Sequence, residues 1–140
     1  MPAAKLTAFR PPSNAVGSGL GNYNISYVNG NLHVDPKNAS VTANSRSKTY
    51  GQTVTFAGTE FTTSGFINGD SVTSVTLTST GAAGTATVTA PGPDYAIVPS
   101  TAVGTGLGNY SISYSNGTLH INTASLTITA TNVTKTFGAT

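Results

Sequence analysis

The sequence predicts an all-β fold, a small antiparallel β-sandwich of the immunoglobulin-like type, used as a repeat module. Short runs of alternating apolar and polar residues are separated by Gly and Pro, which is typical of strands joined by turns. Only 7% of the residues are charged, and Thr, Ser, Gly and Asn take their place. One long segment also occurs twice. An α+β module of the β-grasp type is the alternative.

The duplicated segment defines the organisation of the chain. Residues 12–34 read PSNAVGSGLGNYNISYVNGNLHV and residues 99–121 read PSTAVGTGLGNYSISYSNGTLHI, with 17 of 23 positions identical at an offset of 87 residues. A weaker match continues beyond it, since the motif KTYG at 48–51 returns as KTFG at 135–138. Self-similarity at a fixed period indicates a modular array.

This period divides the chain into three parts. We expect residues 1–37 to be the C-terminal part of a preceding repeat, residues 38–124 to form one complete repeat, and residues 125–140 to begin the next. The chain would then start and stop inside repeats.

Each copy of the segment contains an Asn-Gly pair between alternating runs, at 29–30 and 116–117. Such a pair predicts a two-residue β-hairpin with a type I′ turn, at 23–36 in the first copy. In that register Tyr27 faces Leu32, and Ser26 faces His33. One face is then buried, comprising Tyr23, Ile25, Tyr27, Leu32 and Val34, with Tyr110, Ile112, Tyr114, Leu119 and Ile121 as their equivalents. On this face only Val34 changes between copies, to Ile121, while most residues of the outer face differ between the copies.

Further strands follow from the same alternation. We expect them at 52–56, 74–79, 85–90, 94–98 and 125–130, which gives about seven strands per period, as in a sandwich. The stretch from Gly65 to Val75 is the one ambiguous region. There Asp70 could cap a helical turn, and we expect at most one short turn near 66–75.

Composition excludes several classes of function. The net charge is +2 with six scattered basic residues, so the clustered Lys and Arg that nucleic-acid binding requires are lacking. The four acids, Asp35, Glu60, Asp70 and Asp94, lie far apart, which disfavours a calcium site. There is no cysteine, and no stretch approaches the roughly 20 apolar residues of a membrane helix. The N-terminus also lacks a signal-peptide core, so we expect any export signal to lie outside this segment.

Candidate chemical sites favour structural interpretations. His33 and His120 are the same position in two copies, and each copy offers one ligand where a metal needs three or four. The glycine-rich loops at 17–22 and 104–109 have the spacing G-x-G-x-G and precede a strand, unlike a phosphate loop. We expect glycines there to adopt positive φ.

Two further patterns also have structural explanations. Lys48 and Lys135 could form an isopeptide crosslink only beside a buried acid; otherwise the amine stays in water while the stem packs on the aromatic residue. Thr-x-Thr pairs, which ice-binding proteins use in flat ladders, fall on different predicted strands, where outward Thr is ordinary. We therefore expect no catalytic, cofactor-binding or metal-binding residue, no cofactor, and no enzymatic activity.

An ordered set of motifs resembles a known family. NYSISYSNGTLHI, SLTITA, KTFG or KTYG, and SGFINGDSV, in that circular order, are similar to the MBG/YDG-type repeats of large bacterial surface and secreted adhesins. The resemblance covers nearly the whole chain and departs from the pattern at Phe137, where Tyr is usual. It implies an extracellular array of small β-rich modules with a role in cell adhesion, and it defines no ligand residues that could be carried across.

We expect the segment to be a stalk or filament module of a bacterial surface protein. Its partners would be neighbouring repeats, including head-to-tail association of chains, with no nucleic acid and no membrane insertion. A ligand-binding adhesin module recognising glycan or a host or matrix protein is the alternative. A concave patch of exposed aromatic residues would favour the second hypothesis.

Overall fold

The structure is a computed structural model, and it describes residues 12–138. These residues form seven β-strands and three short 3-10 turns. The strands are β1 (Lys37–Ala43), β2 (Arg46–Thr49), β3 (Phe61–Ser64), β4 (Ser71–Thr78), β5 (Asp94–Thr105), β6 (Tyr110–Ser115) and β7 (Gly117–Asn122). The 3-10 turns are Leu20–Asn22, Thr80–Ala82 and Leu107–Asn109.

The strands form two sheets, which confirms the predicted all-β sandwich. One sheet has three strands in the order β3-β1-β6, and the other has four in the order β2-β7-β5-β4. The sheets are mixed rather than purely antiparallel, because β1 pairs with β6, and β2 with β7, in parallel. Among residues 12–138 the only helical segments are the three-residue 3-10 turns, so the β-grasp alternative is wrong. None of these turns is long and apolar enough to cross a membrane.

The core lies between the sheets and is built by alternation. In β4, Val75 and Leu77 are buried while Thr76 and Thr78 are exposed, because successive side chains of a strand point to opposite faces. The same holds in β5 for Tyr95 and Ile97. The buried cluster as a whole comprises Val41, Ala43, Val54, Val75, Leu77, Tyr95, Ile97, Leu119 and Ile121.

The predicted hairpin at Asn116-Gly117 is wrong. The strands on either side of it, β6 and β7, belong to different sheets and do not pair with each other. A Cβ on Gly117 would lie 2.6 Å from the carbonyl oxygen of Ala43, so glycine is needed here for close backbone approach rather than for a turn. In the first copy, residues 24–36 contain no strand, and Leu32 alone forms an isolated bridge.

The predicted faces are right for most of β6 and β7. Tyr110, Leu119 and Ile121 are buried, whereas His120 is exposed. The inward position expected for Tyr114 is wrong, because this residue near the end of an edge strand is 41% exposed. In the first copy the five equivalent side chains are all exposed, namely Tyr23, Ile25, Tyr27, Leu32 and Val34.

Three other predicted strands are not strands. Residues 52–56 are an irregular segment that still delivers Val54 to the core, where its N–H donates to the carbonyl of Ala82. Residues 85–90 form turns over the core, and residues 125–130 are exposed and without a strand. The expected limit of one short turn near 66–75 is met, because a single turn closed by the bond from the N–H of Asp70 to the carbonyl of Ile67 precedes strand β4 at Ser71–Thr78.

Candidate functional site

The most distinctive feature of the fold is a pair of long parallel strands. β1 and β2 are separated by only two residues, and together they run alongside β6 and β7, which are separated by one. Every residue of 37–42 and 46–49 pairs with the residue 73 positions later. The register is thus unbroken where both strands leave one sheet and enter the other. We call residues 37–49 and 110–122 the terminal strand pair.

Side-chain and backbone contacts fix this crossing point. The N–H of Thr118 donates to Oγ of Ser45 at 2.9 Å, just after Gly117 passes the carbonyls of Ala43 and Asn44. Near the far end, Nδ2 of Asn122 donates to the carbonyl of Lys48 at 3.3 Å. A one-residue slip would turn Val41 and Ala43 away from the core, so burial also holds the register.

The direction of the terminal strand pair places the two ends of the module apart. Lys37, the first residue of β1, is level with Tyr110, and Thr49 is level with Asn122, the last residue of β7. The chain therefore enters the module at one end of the pair and leaves it at the other. Thirteen residues of strand at about 3.3 Å per residue give a separation of about 40 Å.

Lys48 is the buried charged residue of the described part of the chain, with 4% of its surface exposed. Its Nζ donates to the carbonyl oxygens of Gln52 at 2.9 Å and Ala82 at 3.4 Å, and also to that of Ala83. The expectation that this amine stays in water is wrong. Three convergent carbonyls satisfy the ammonium donors and connect β2 to the turn at 80–83.

Glu60 and Asp94, two of the four acids, make contacts with groups other than Lys48. The carboxylate of Glu60 accepts hydrogen bonds from the N–H groups of Ala57, Gly58 and Thr59. The Ala57 bond is the main cause that lowers the pKa of Glu60 below its ordinary value, against the opposing effect of burial and with smaller contributions from the N–H groups of Glu60, Thr59 and Gly58. Asp94 contacts His120 across β5 and β7, with 2.6 Å between Oδ1 and Nδ1.

Asp70 joins a network around Tyr110 instead of capping a helix. The hydroxyl of Tyr110 lies 2.8 Å from Oδ2 of Asp70 and accepts the N–H of Ile67 at 3.1 Å. That N–H acts to lower the pKa of Tyr110, but burial and the Asp70 carboxylate outweigh it and the pKa is raised. This network fixes the loop before β4 to the first residue of β6.

The remaining candidates do not converge. His33 lies beside Asp35 at 3.1 Å and both are exposed. Within residues 12–138 no group of three or more His, Asp or Glu could hold a metal ion. All the Thr-x-Thr pairs are exposed, but only Thr76 and Thr78 lie on a strand. The glycine-rich loops end in 3-10 turns at which Gly19 and Gly106 have φ of 73° and 68°, as expected for glycine.

One open cleft lies at the C-terminal end of the module. It has a volume of about 540 Å³ and is lined by Tyr50, Val88 and Leu126, together with Thr87, Thr89, Thr123, Ala124 and Ser125. Half of it is thus made by residues that follow β7. Neither the cleft nor the buried Lys48 was expected from the sequence, because both depend on which loops meet at this end.

These features define a small all-β module whose described side-chain contacts join strands and turns. Residues 39–120, more than half of the chain, match the family described as the MBG domain (YGX type), and the chain belongs to that family. The resemblance noted in the sequence is confirmed. No curated protein and no solved structure matches the chain.

Proposed function

We propose that this chain is a structural stalk or filament segment of a bacterial extracellular, adhesin-like protein, without enzymatic activity or a cofactor. The observation that carries the proposal is the direction of the terminal strand pair, which puts the entering and leaving chain at opposite ends of the module. A module of this kind lengthens an array each time it is repeated. Membership in the MBG family supports a role as a repeat module at the cell surface.

The spacing between repeats supports a stiff array. By the 87-residue offset, Asp35 corresponds to Asn122, the last residue of β7, and β1 begins at Lys37. A single residue therefore lies between the last strand of one repeat and the first of the next, Pro36 at the first junction and its equivalent Thr123 at the second. Proline restricts φ and favours extended backbone before it, and so little bending is available at the first junction.

Small-angle X-ray scattering tests the extension. Residues 36–122 are duplicated once and then twice within the intact chain, and we expect the maximum dimension to grow by about 40 Å per added copy. A matched control carries four Gly-Ser residues between the copies, which should broaden the distance distribution. An increment well below about 20 Å would refute the stalk geometry.

End-to-end association of chains is part of this proposal. Residues 124–136 correspond to β1 and β2, and residues 23–35 correspond to β6 and β7, yet both segments are exposed. We propose that the first segment of one copy pairs in parallel with the second segment of another copy. The register of the terminal strand pair then predicts Thr127 opposite Ser26, the equivalents of Ser40 and Ser113.

Because the chain contains no cysteine, disulfide trapping can test this register. A chain carrying Thr127→Cys and Ser26→Cys should form covalent dimers and longer oligomers under mild oxidation. The matched control pairs Thr127→Cys with Asn24→Cys, which shifts the register by two residues on the same face. Equal crosslinking of the two variants, or none, would contradict the proposed pairing.

A ligand-binding adhesin module is the second candidate, and the open cleft favours it. Tyr50 is 48% exposed there and borders an apolar surface of the kind on which a sugar ring can stack. Ser125 and Leu126 of the lining belong to the following repeat, which would change the cleft in an array. A glycan-binding screen of the intact chain, repeated with Tyr50→Ala and with Tyr114→Ala as control, separates the candidates. Glycan binding lost only with Tyr50→Ala would favour the adhesin module.

A further inference from the structure

We propose that the terminal strand pair is a mechanical clamp, which makes the module resistant to unfolding when it is pulled from its two ends. Tension on an array pulls Lys37 toward the N-terminal end and Asn122 toward the C-terminal end. Because β1–β2 and β6–β7 are parallel and adjacent, this pull slides one long strand past the other. The ladder hydrogen bonds between them are then loaded together, in shear.

The alternative geometry would be weak. In an antiparallel hairpin whose two ends are pulled apart, the hydrogen bonds separate one after another, and each carries the whole load in turn. The crossing of the terminal strand pair from one sheet to the other adds a second obstacle to sliding. Gly117 lies against the carbonyls of Ala43 and Asn44, and the bond from Thr118 to Ser45 spans the strands at this point.

Lys48 anchors one strand of the pair against the pull. It lies in β2, and its Nζ donates to the carbonyls of Gln52, Ala82 and Ala83, two of which belong to the turn after β4. Sliding β2 toward the N-terminal end would withdraw this buried ammonium group from its acceptors. At the other strand, Asn122 accepts the N–H of Tyr50 at 2.9 Å and donates to the carbonyl of Lys48.

The inference rests on the proposed stalk function only for its relevance to the cell. The clamp itself is a property of the single module. Scattering tests extension, and pulling tests resistance, so either proposal can fail while the other stands.

Single-molecule force spectroscopy of the intact chain tests the clamp. Held at its two ends at constant force, the module should unfold in one step that releases about 270 Å of contour length, from about 3.6 Å per residue over 37–122 less the folded separation. A second geometry attaches the handles through Thr49→Cys and Asn122→Cys, which are level with each other, so that the pull separates β2 from β7 bond by bond. Because Asn122→Cys removes the bond to the carbonyl of Lys48, the end-to-end pull is measured on the same double variant. Forced unfolding reports the unfolding rate. If the end-to-end pull must break two more ladder bonds at once than the pull through residues 49 and 122, it should unfold the module about thirtyfold more slowly than that pull at equal force.

Two single-bond variants localise the effect. Ser45→Ala removes the acceptor of Thr118 within the clamp, and Thr73→Val removes the hydroxyl that donates to Val103 between β4 and β5, outside it. We expect Ser45→Ala to unfold about fivefold faster under the end-to-end pull, with Thr73→Val unchanged. Equal unfolding rates in the two pulling geometries, or equal effects of the two variants, would overturn the proposal.

Discussion

Residues 12–34 and 99–121 are nearly the same sequence in two different surroundings. Their glycine-rich turns have the same structure: Leu20–Asn22 and Leu107–Asn109 are both 3-10 turns preceded by a glycine of positive φ. The Tyr27 hydroxyl accepts the N–H of Ala15 at 2.9 Å, and the Tyr114 hydroxyl accepts that of Ala102 at the same distance.

The two copies differ wherever a contact distant in sequence is involved. Leu119 is completely buried, while Leu32, its equivalent, is 47% exposed. Residues 110–122 have β1, β2 and β5 beside them, whereas the described residues offer no such partners to residues 23–35. A strand has few hydrogen bonds of its own, so this sequence forms strands only where neighbouring strands supply them.

The largest expected difference between the copies is at this leucine. Leu119→Ala should lower the free energy of unfolding by about 2–5 kcal/mol, because it leaves a cavity in the core. Leu32→Ala should change it by less than about 0.5 kcal/mol. Urea denaturation of both variants measures the difference. Comparable losses would show that the first copy is packed in solution.

The two lysines of the K-T-aromatic-G motif give the next largest difference. Lys48→Met should cost about 1–3 kcal/mol, since it removes the three bonds of the ammonium group and takes this donor from the Gln52 carbonyl, while the Ala82 and Ala83 carbonyls keep the N–H groups of Val54 and Ala86. Lys135 is exposed, and Lys135→Met should have little effect. Thermal and urea unfolding compare the variants, and a neutral Lys48→Met would mean that water replaces the ammonium group.

The glycines of the two Asn-Gly pairs test the corrected topology. Gly117→Ala should destabilise by about 1–3 kcal/mol, because the new methyl group meets backbone oxygen at the strand crossing. Gly30 has nothing within 4 Å of an added Cβ, and Gly30→Ala should be near neutral. If both were hairpin turns, the two substitutions would instead cost about the same in urea denaturation.

The tyrosine hydroxyls that make the same bond in both copies come next. Tyr114→Phe should cost about 0.5–1.5 kcal/mol of global stability. Tyr27→Phe should leave global unfolding unchanged and only speed hydrogen exchange at the Ala15 amide. Hydrogen exchange measured by NMR on both variants shows whether the loss is confined to the amide that donates to the hydroxyl or extends to the whole module. Unaltered exchange at Ala15 would show that the first bond is not formed in solution.

Acid should have the smallest effect, and it should lower the stability of the module that contains Glu60 without changing the first copy of the segment. The pKa of Glu60 is lowered in the folded module, chiefly by the Ala57 N–H, so its contribution is present above the unfolded pKa and is lost as the pH falls through the folded one. Residues 12–34 contain no acid, and their turn should not respond. Glu60→Gln should flatten the dependence of the melting temperature on pH between 5 and 3, which are roughly the limits for an ordinary Glu. An unchanged slope would assign acid sensitivity to another carboxyl.

The alternation of side chains determined which faces of the strands are buried. Tyr110, Leu119 and Ile121 lie inward as the period of two requires, and so do Val75, Leu77, Tyr95 and Ile97. Residues 125–130 were expected to bury alternate positions, and their equivalents in β1, Ala39, Val41 and Ala43, do so. For residues 52–56 the prediction that Val54 packs in the core is right, but the prediction that the segment is a strand is wrong.

The tertiary structure decided which strands pair with each other and which side chains meet. The Asn-Gly pair at 116–117 has the residues of a hairpin turn, yet in the fold its glycine allows the backbone of residue 117 to lie close to the backbone of residues 43–44. Lys48 and Lys135 lie in nearly the same motif, KTYG and KTFG, yet Lys48 is buried because the turn at 80–83 brings carbonyls to it. Sequence alone determined periodicity, local turns and the repeat, because these depend on residues close together in the chain. Strand partners, parallel direction and the position of the buried ammonium group depend on residues further apart in the chain, from 18 positions between Ala43 and Phe61 to 73 between β1 and β6, and only the folded module brings these together.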